Sequence, residues 1–271
     1  MSLFRKIILS IIALVMLFGV IPFTGIYFAQ GAFVFPVPDR GAGEAAGGFE
    51  AVTITTEDGE QLNAFYHPPG EKAASILVFH GNAETAANQM TRGQALATAG
   101  YGVLLAEYRG YGGSTGKPSE AGIITDGLAS YDFLVAKTEG PVGILAHSLG
   151  TGAAIPVAAA RDPFAVVLES PFTSLLAIAR YRVRLMPPLD FLVKYPFRND
   201  AVIGEVRAPI LIIHGTEDRV IPFEEGEKLA TLAPKGTAFI KIEGAGHNNL
   251  GQYDDIKMAT SFFTKALAAN P

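Results

Sequence analysis

The 271 residues are 49% hydrophobic and 17% charged, which supplies one sizeable core without requiring a second domain. A formal net charge of −5, with no long run of either sign, excludes the basic surface that nucleic-acid binding needs. There is no cysteine for a disulfide or a thiolate site, and the five histidines form no His-x-x-x-His pair, so no metal is expected.

Arg5 and Lys6 precede an uncharged run from Ile7 to Ala29. A helix over that run, at about 1.5 Å per residue, reaches across a hydrocarbon core of roughly 30 Å. Residues 1–31 are therefore expected to be a membrane anchor, kinked at Pro22, with the basic end cytoplasmic and the rest of the chain outside the cytoplasm. The competing reading is a signal peptide cut near Ala29-Gln30-Gly31, which leaves the protein secreted or periplasmic. Phe23, Ile26, Tyr27 and Phe28 argue against it by keeping the segment apolar up to that point. "PVPDRGAGEAAGG" makes residues 32–48 a linker, and the globular domain spans 49–271.

That domain begins with "FEAVTITT" and "LNAFYH", which alternate like half-exposed antiparallel strands around a Glu57-Asp58-Gly59 turn. Short apolar runs follow: "SILVFH" at 75–80, "GVLLAEY" at 102–108, "VGILAH" at 142–147, "AVVLES" at 165–170, "PILIIH" at 209–214 and "AFIKIEG" at 238–244. Runs without alternation belong to strands buried on both faces. Helical stretches at 84–99, 120–137, 149–161 and 223–233 separate them, and this order predicts an α/β fold with a mostly parallel sheet and helices on both faces.

"GILAHSLGTGAA", residues 143–154, places Ser148 between a buried-type strand and a helix, the setting of a strained nucleophile elbow. The neighbours of such a serine must be small; Ala146 adds only a methyl, and Gly150 leaves its position empty. A structural serine capping the helix is the alternative for this motif alone. A serine hydroxyl needs a base to take its proton and a carboxylate to orient that base. "IIHGTEDRVIP" puts Asp218 just past one strand end, and "IEGAGHNN" puts His247 just past the next. Glu217 and Glu169 are the other candidate acids. After the strand at 75–80, "HGNAET" turns backbone amides toward the site, so the amides of Asn82 and Leu149 are the expected oxyanion donors. His80 and His147 are expected to shape turns, and His67 and His214 to be structural. "YRGYGGSTGKPSE" is no phosphate loop: Tyr111 stands where a glycine is needed, and Pro118 follows Lys117.

"FHGNAE", "EYRGYGGSTGKPSEAG", "AHSLGTGAA", "ESPFTS", "HGTEDRVIP" and "GAGHNN" together resemble the α/β-hydrolase superfamily. Within it they resemble the small, often membrane-anchored α/β-hydrolase-domain branch that includes the fungal Bem-type proteins. The resemblance runs from about Phe49 to the carboxyl end and departs at Ala146, where the branch usually has glycine. It implies an α/β-hydrolase fold with a central sheet of about eight strands and a short lid at 171–205. It also implies a serine hydrolase with Ser148, Asp218 and His247 as triad and no cofactor.

The lid segment carries Leu175, Leu176, Met186, Leu189, Phe191 and Leu192, candidates to line an acyl pocket. Its arginines and lysine are read as a solvated face, with anionic headgroups as the rival reading. The expected activity is cleavage of carboxylic esters or thioesters, of acylated or lipid-like small molecules, through an acyl-enzyme. An amidase or peptidase with the same triad, or a binding protein that keeps the fold without turnover, are the alternatives. The oligomeric state stays open.

Overall fold

The computed structural model describes residues 3–39, 41–70, 73–182 and 193–269. Its strands are β1 (Glu50–Thr55), β2 (Gln61–His67), β3 (Ser75–Phe79), β4 (Gly102–Ala106), β5 (Val142–His147), β6 (Val166–Glu169), β7 (Ile210–Gly215) and β8 (Ala238–Ile242). They form one eight-stranded sheet in the order β1-β2-β4-β3-β5-β6-β7-β8. β2 pairs antiparallel with both β1 and β4, and every other pairing is parallel. Only β2 therefore runs against the rest, and the carboxyl ends of the parallel strands share one rim.

Helices in chain order are α1 (Leu3–Val15), α2 (Ile21–Val34), α3 (Met90–Thr98), α4 (Glu120–Lys137), α5 (Thr151–Ala160), α6 (Leu175–Arg182), α7 (Asn199–Val202), α8 (Phe223–Leu232) and α9 (Asp255–Ala269). Side chains alternate along each strand, so the sheet feeds two apolar layers. Ile76, Val78, Val103, Leu105 and Leu145 meet Leu96 of α3 and Ala259 and Phe263 of α9 on one face. Leu77, Phe79, Leu104 and Ile144 meet Ile123 and Leu134 of α4, Ala153 and Ile155 of α5 and Leu229 of α8 on the other. Covering on both faces explains why β3, β4, β5 and β7 are buried along their whole length.

The amino-terminal expectation needs correction. The uncharged run is not one spanning helix: α1 passes through a π-turn at Met16–Val20 into α2, and among the described residues no helix is long and apolar enough to cross a membrane. At about 1.5 Å per residue, neither arm alone reaches the ~30 Å of a hydrocarbon core. Pro22 has no N–H to return to the preceding turn, which interrupts the α-helical ladder where the π-turn sits. The transmembrane reading of residues 1–31 is thereby overturned. The helix also runs on to Val34, and Phe35 after it is buried in the main core cluster.

Candidate active site

β5 ends at His147 and Ser148 follows with φ of 53°, a left-handed conformation that a non-glycine residue holds only where its surroundings enforce it. A 3₁₀ turn, Ser148–Gly150, then leads into α5. The turn lies hard against the neighbouring strand: a Cβ on Gly150 would come within 2.7 Å of the carbonyl oxygens of both Phe79 and His80. Glycine is therefore required at 150. Ala146, by contrast, sits inside β5 opposite Phe79 and Leu168, and its methyl joins the apolar layer.

His247 Nε2 lies 2.8 Å from Ser148 Oγ, and its Nδ1 lies 2.7 Å from Asp218 Oδ2. A carboxylate accepts, so Nδ1 carries the proton and Nε2 is left to accept the serine hydroxyl. Asp218 Oδ1 accepts the amides of Val220 and Ile221, each at 2.8 Å. Burial works to raise this carboxyl's pKa, but the hydrogen bonds from His214, His247 and the Ile221 amide outweigh it and hold the group well below the usual carboxylate range. Of the rival acids, Glu217 is exposed beside it, and Glu169 at the end of β6 is taken up by Arg92, whose Nη2 lies 2.5 Å from its carboxylate and 2.8 Å from Asp255.

Two further histidines enter the site. His147 lies tilted against His247 with ring centroids 4.9 Å apart and donates from Nε2 to the His247 carbonyl at 3.1 Å. Burial first, then the neighbouring His247 and Arg92, bring its pKa down to about 3, so it stays neutral and steadies the loop. His214 donates from Nε2 to the Ile221 carbonyl at 3.1 Å and stands 3.4 Å from Asp218 Oδ2. Sequence reasoning left His214 without a partner, although its position four residues before Asp218 was a usable signal.

The Gly81–Asn82 turn after β3 passes beside the serine, since a Cβ on Gly81 would lie 3.4 Å from Ser148 Cβ. The Leu149 amide belongs to the first turn of the helix, where amides have no intrahelical acceptor. Leu149 thus follows Ser148 directly, and Asn82 follows the glycine that packs against it. Beneath the Gly81–Asn82 turn, the buried His80 ring donates from Nδ1 to the Gly81 carbonyl and from Nε2 to Glu107 Oε1, each at 2.7 Å. Acceptors at both nitrogens call for an imidazolium. Burial disfavours it, yet the Glu107 charge and hydrogen bond raise its pKa on balance.

Glu107→Ala, which leaves that imidazole buried without its partner, is expected to cost about 3–5 kcal/mol of unfolding free energy. A raised folded pKa means that the pair's contribution is complete below the unfolded value of about 6.5 and is lost as pH rises through the folded one. Urea titrations of both proteins should show the gap widest at mildly acid pH and narrowing in alkaline solution. A gap that grows with pH contradicts this assignment.

A cavity of about 610 Å³ opens beside His247, bordered by Gln89, Arg92, His147, Glu169, Leu250 and Asp255 among others. Leu175 and Leu176 lie elsewhere, half-buried on α6, where Leu175 packs on the main core. Met186, Leu189, Phe191 and Leu192 lie outside the described residues. Among the described residues no group of acidic and histidine side chains is arranged to hold a metal ion.

Residues 70–195 match the family described as "Serine aminopeptidase, S33", and residues 173–261 match the one described as "Alpha/beta hydrolase family". An uncharacterized protein of Mycobacterium tuberculosis is 33% identical over 262 residues, 92% of this chain and 91% of that one. The lysophosphatidylserine lipase ABHD12 of Macaca fascicularis is 35% identical over 201 residues, 66% of this chain and 50% of the relative, so the chain spans about half that protein's length. Among solved structures, the Pyrococcus furiosus esterase Pf2001 shares the fold at a TM-score of 0.70 and 20% identity, over 86% of this chain and 98% of that one. With matches along nearly its whole domain and this sheet order beneath them, the chain belongs to the α/β-hydrolase superfamily.

Proposed function

We propose that the protein is a serine hydrolase that cleaves carboxylic esters or thioesters of lipid-like acyl substrates through an acyl-enzyme. The observation that carries this reading is the unbroken chain Ser148–His247–Asp218, at 2.8 and 2.7 Å, on a strained strand-to-helix turn. Relatives named as a lipase and an esterase support it. His247 Nε2 takes the Ser148 proton as Oγ bonds to the substrate carbonyl carbon, and the Asn82 and Leu149 amides receive the negative oxygen. Collapse of that adduct breaks the bond to the leaving alcohol or thiol, which takes the proton back from His247. Water then attacks the acyl-serine, giving its proton to His247 and restoring Ser148. Asp218 keeps the imidazole in one tautomer throughout.

The first test treats the full chain with a fluorophosphonate probe and measures turnover of p-nitrophenyl acetate, butyrate and palmitate beside an aminoacyl p-nitroanilide. One probe adduct on Ser148, with ester turnover well above anilide turnover, is the expected result. Preference for the anilide transfers the site to the aminopeptidase reading suggested by one family match. A folded protein that neither labels nor turns over any of them leaves the binding-protein alternative.

A further inference from the structure

The amino-terminal helix ends against the site. Gln30 Oε1 accepts the Lys194 amide at 2.8 Å, and the buried Phe35 sets its ring against Tyr195 and Phe197, with centroids 5.0 and 6.1 Å apart. Between these anchors, the carbonyl of Val34, the last residue of α2, accepts a 2.7 Å hydrogen bond from Asn82 Nδ2. That carbonyl lies past the reach of helical donors, so a side chain from outside satisfies it. It can only accept, which fixes the amide orientation and turns Oδ1 toward the Tyr111 hydroxyl, 3.1 Å away. Asn82 is thus held at both ends, by α2 and by the turn after β4.

The residue so held sits in a backbone that needs holding. Ala83, next in the chain, has φ of 57°, a left-handed conformation that an alanine adopts at a cost. Glu84 Oε2 accepts the Gly81 amide at 3.2 Å, and the His80–Glu107 pair pins the base of the loop. The α2 carbonyl and the buried Tyr111 restrain the Asn82 side chain.

We propose that the last turn of α2 is a positioning element of the active site: through the Asn82 side chain it aims the Asn82 peptide N–H at the developing oxyanion, with Phe35 as the anchor that keeps it docked. The proposal rests on the serine-hydrolase reading above. An oxyanion donor acts on the tetrahedral adduct and little on the bound ester, and its hydrogen bond weakens steeply once misaligned. Loosening the clamp should therefore lower kcat and leave KM for a small ester alone.

The test compares full-length wild type with Phe35→Ala, Phe35→Leu, Asn82→Asp and the Phe35→Ala/Asn82→Asp double variant on p-nitrophenyl acetate, whose acyl group is too small to sense a long pocket. Asp in place of Asn faces the Val34 carbonyl with an acceptor while still accepting from Tyr111. Phe35→Ala and Asn82→Asp are each expected to reduce kcat by about 10–100-fold, a large part of the effect of losing one oxyanion donor. KM should stay within about twofold, and fluorophosphonate labelling should slow in parallel with kcat. Phe35→Leu should restore most of the rate. The double variant should be no slower than the worse single one, since both act on one link. Amide hydrogen exchange over residues 81–85 should accelerate in Phe35→Ala.

Unchanged kcat in Phe35→Ala, a defect confined to KM, independent losses that multiply in the double variant, or unaltered exchange at 81–85 each overturns the proposal. If Phe35→Ala does not fold, Asn82→Asp and Phe35→Leu decide by the same kcat and KM criteria. A wild-type chain inert to probe and ester overturns the hydrolase reading and this inference with it, whereas an active wild type beside a fully active Phe35→Ala overturns the inference alone.

Discussion

Ser148→Ala is expected to lower kcat for p-nitrophenyl butyrate by about 10⁶-fold, the scale of loss when the nucleophile of such a triad is removed. The fold should survive the change, because alanine meets the same left-handed backbone cost as serine at φ of 53° and fills nearly the same space. Thermal unfolding close to wild type, with the fluorophosphonate mass shift gone, would separate lost chemistry from lost structure. A variant that retains appreciable turnover removes Ser148 from the nucleophile's role.

Asp218→Asn should lower kcat by about 10⁴-fold while leaving probe binding geometry and fold in place. Three donors hold this carboxylate, the Val220 and Ile221 amides at Oδ1 and His247 at Oδ2, with His214 Nε2 3.4 Å from Oδ2. An asparagine oxygen that keeps the two amides must turn its NH₂ toward His247. The imidazole then accepts at Nδ1 and carries its proton on Nε2, where it can no longer take the serine's. Stability shifts with the charge. The depressed folded pKa of Asp218 means that its contribution is present above the unfolded value of about 3.9 and is lost as pH falls through the folded one. Asp218→Asn should accordingly lower the unfolding midpoint at neutral pH, with the gap to wild type closing under strongly acid conditions. A rate loss below tenfold would instead hand the orienting role to another group.

The inner strands were readable in the chain because a parallel strand covered on both faces must be apolar at every position, as β3 and β7 are. Ser148 was readable for a related reason: the close approach at Gly150 leaves a mark of small residues in the sequence. The order and place of the motif alone favour Asp218 over Glu217; the physical difference between them is visible only in the fold, where Asp218 is buried and Glu217 exposed. α9 carried a legible pattern in Ala259, Phe263 and Ala266, yet no strand followed it to frame it, and it went unread. The Arg92 link to Glu169 and Asp255, and the Val34 link to Asn82, join residues far apart in sequence, which no local periodicity reports. The amino-terminal run failed in the opposite way: hydropathy sums over residues and is blind to the backbone break within it.

The tight packing beneath the elbow bears on how this protein's specificity can change over evolutionary time. Added carbon at Gly150 meets backbone oxygens, and at Gly152 it meets the Phe197 ring at 2.5 Å. Backbone cannot retreat to make room, so neutral drift is barred at the turn itself. The exposed face of α6, which carries no buried side chain, is free to vary at little cost to folding. Related chains that diverge in what they cleave should therefore differ at the exposed positions 180–182 of α6 and keep the elbow unchanged.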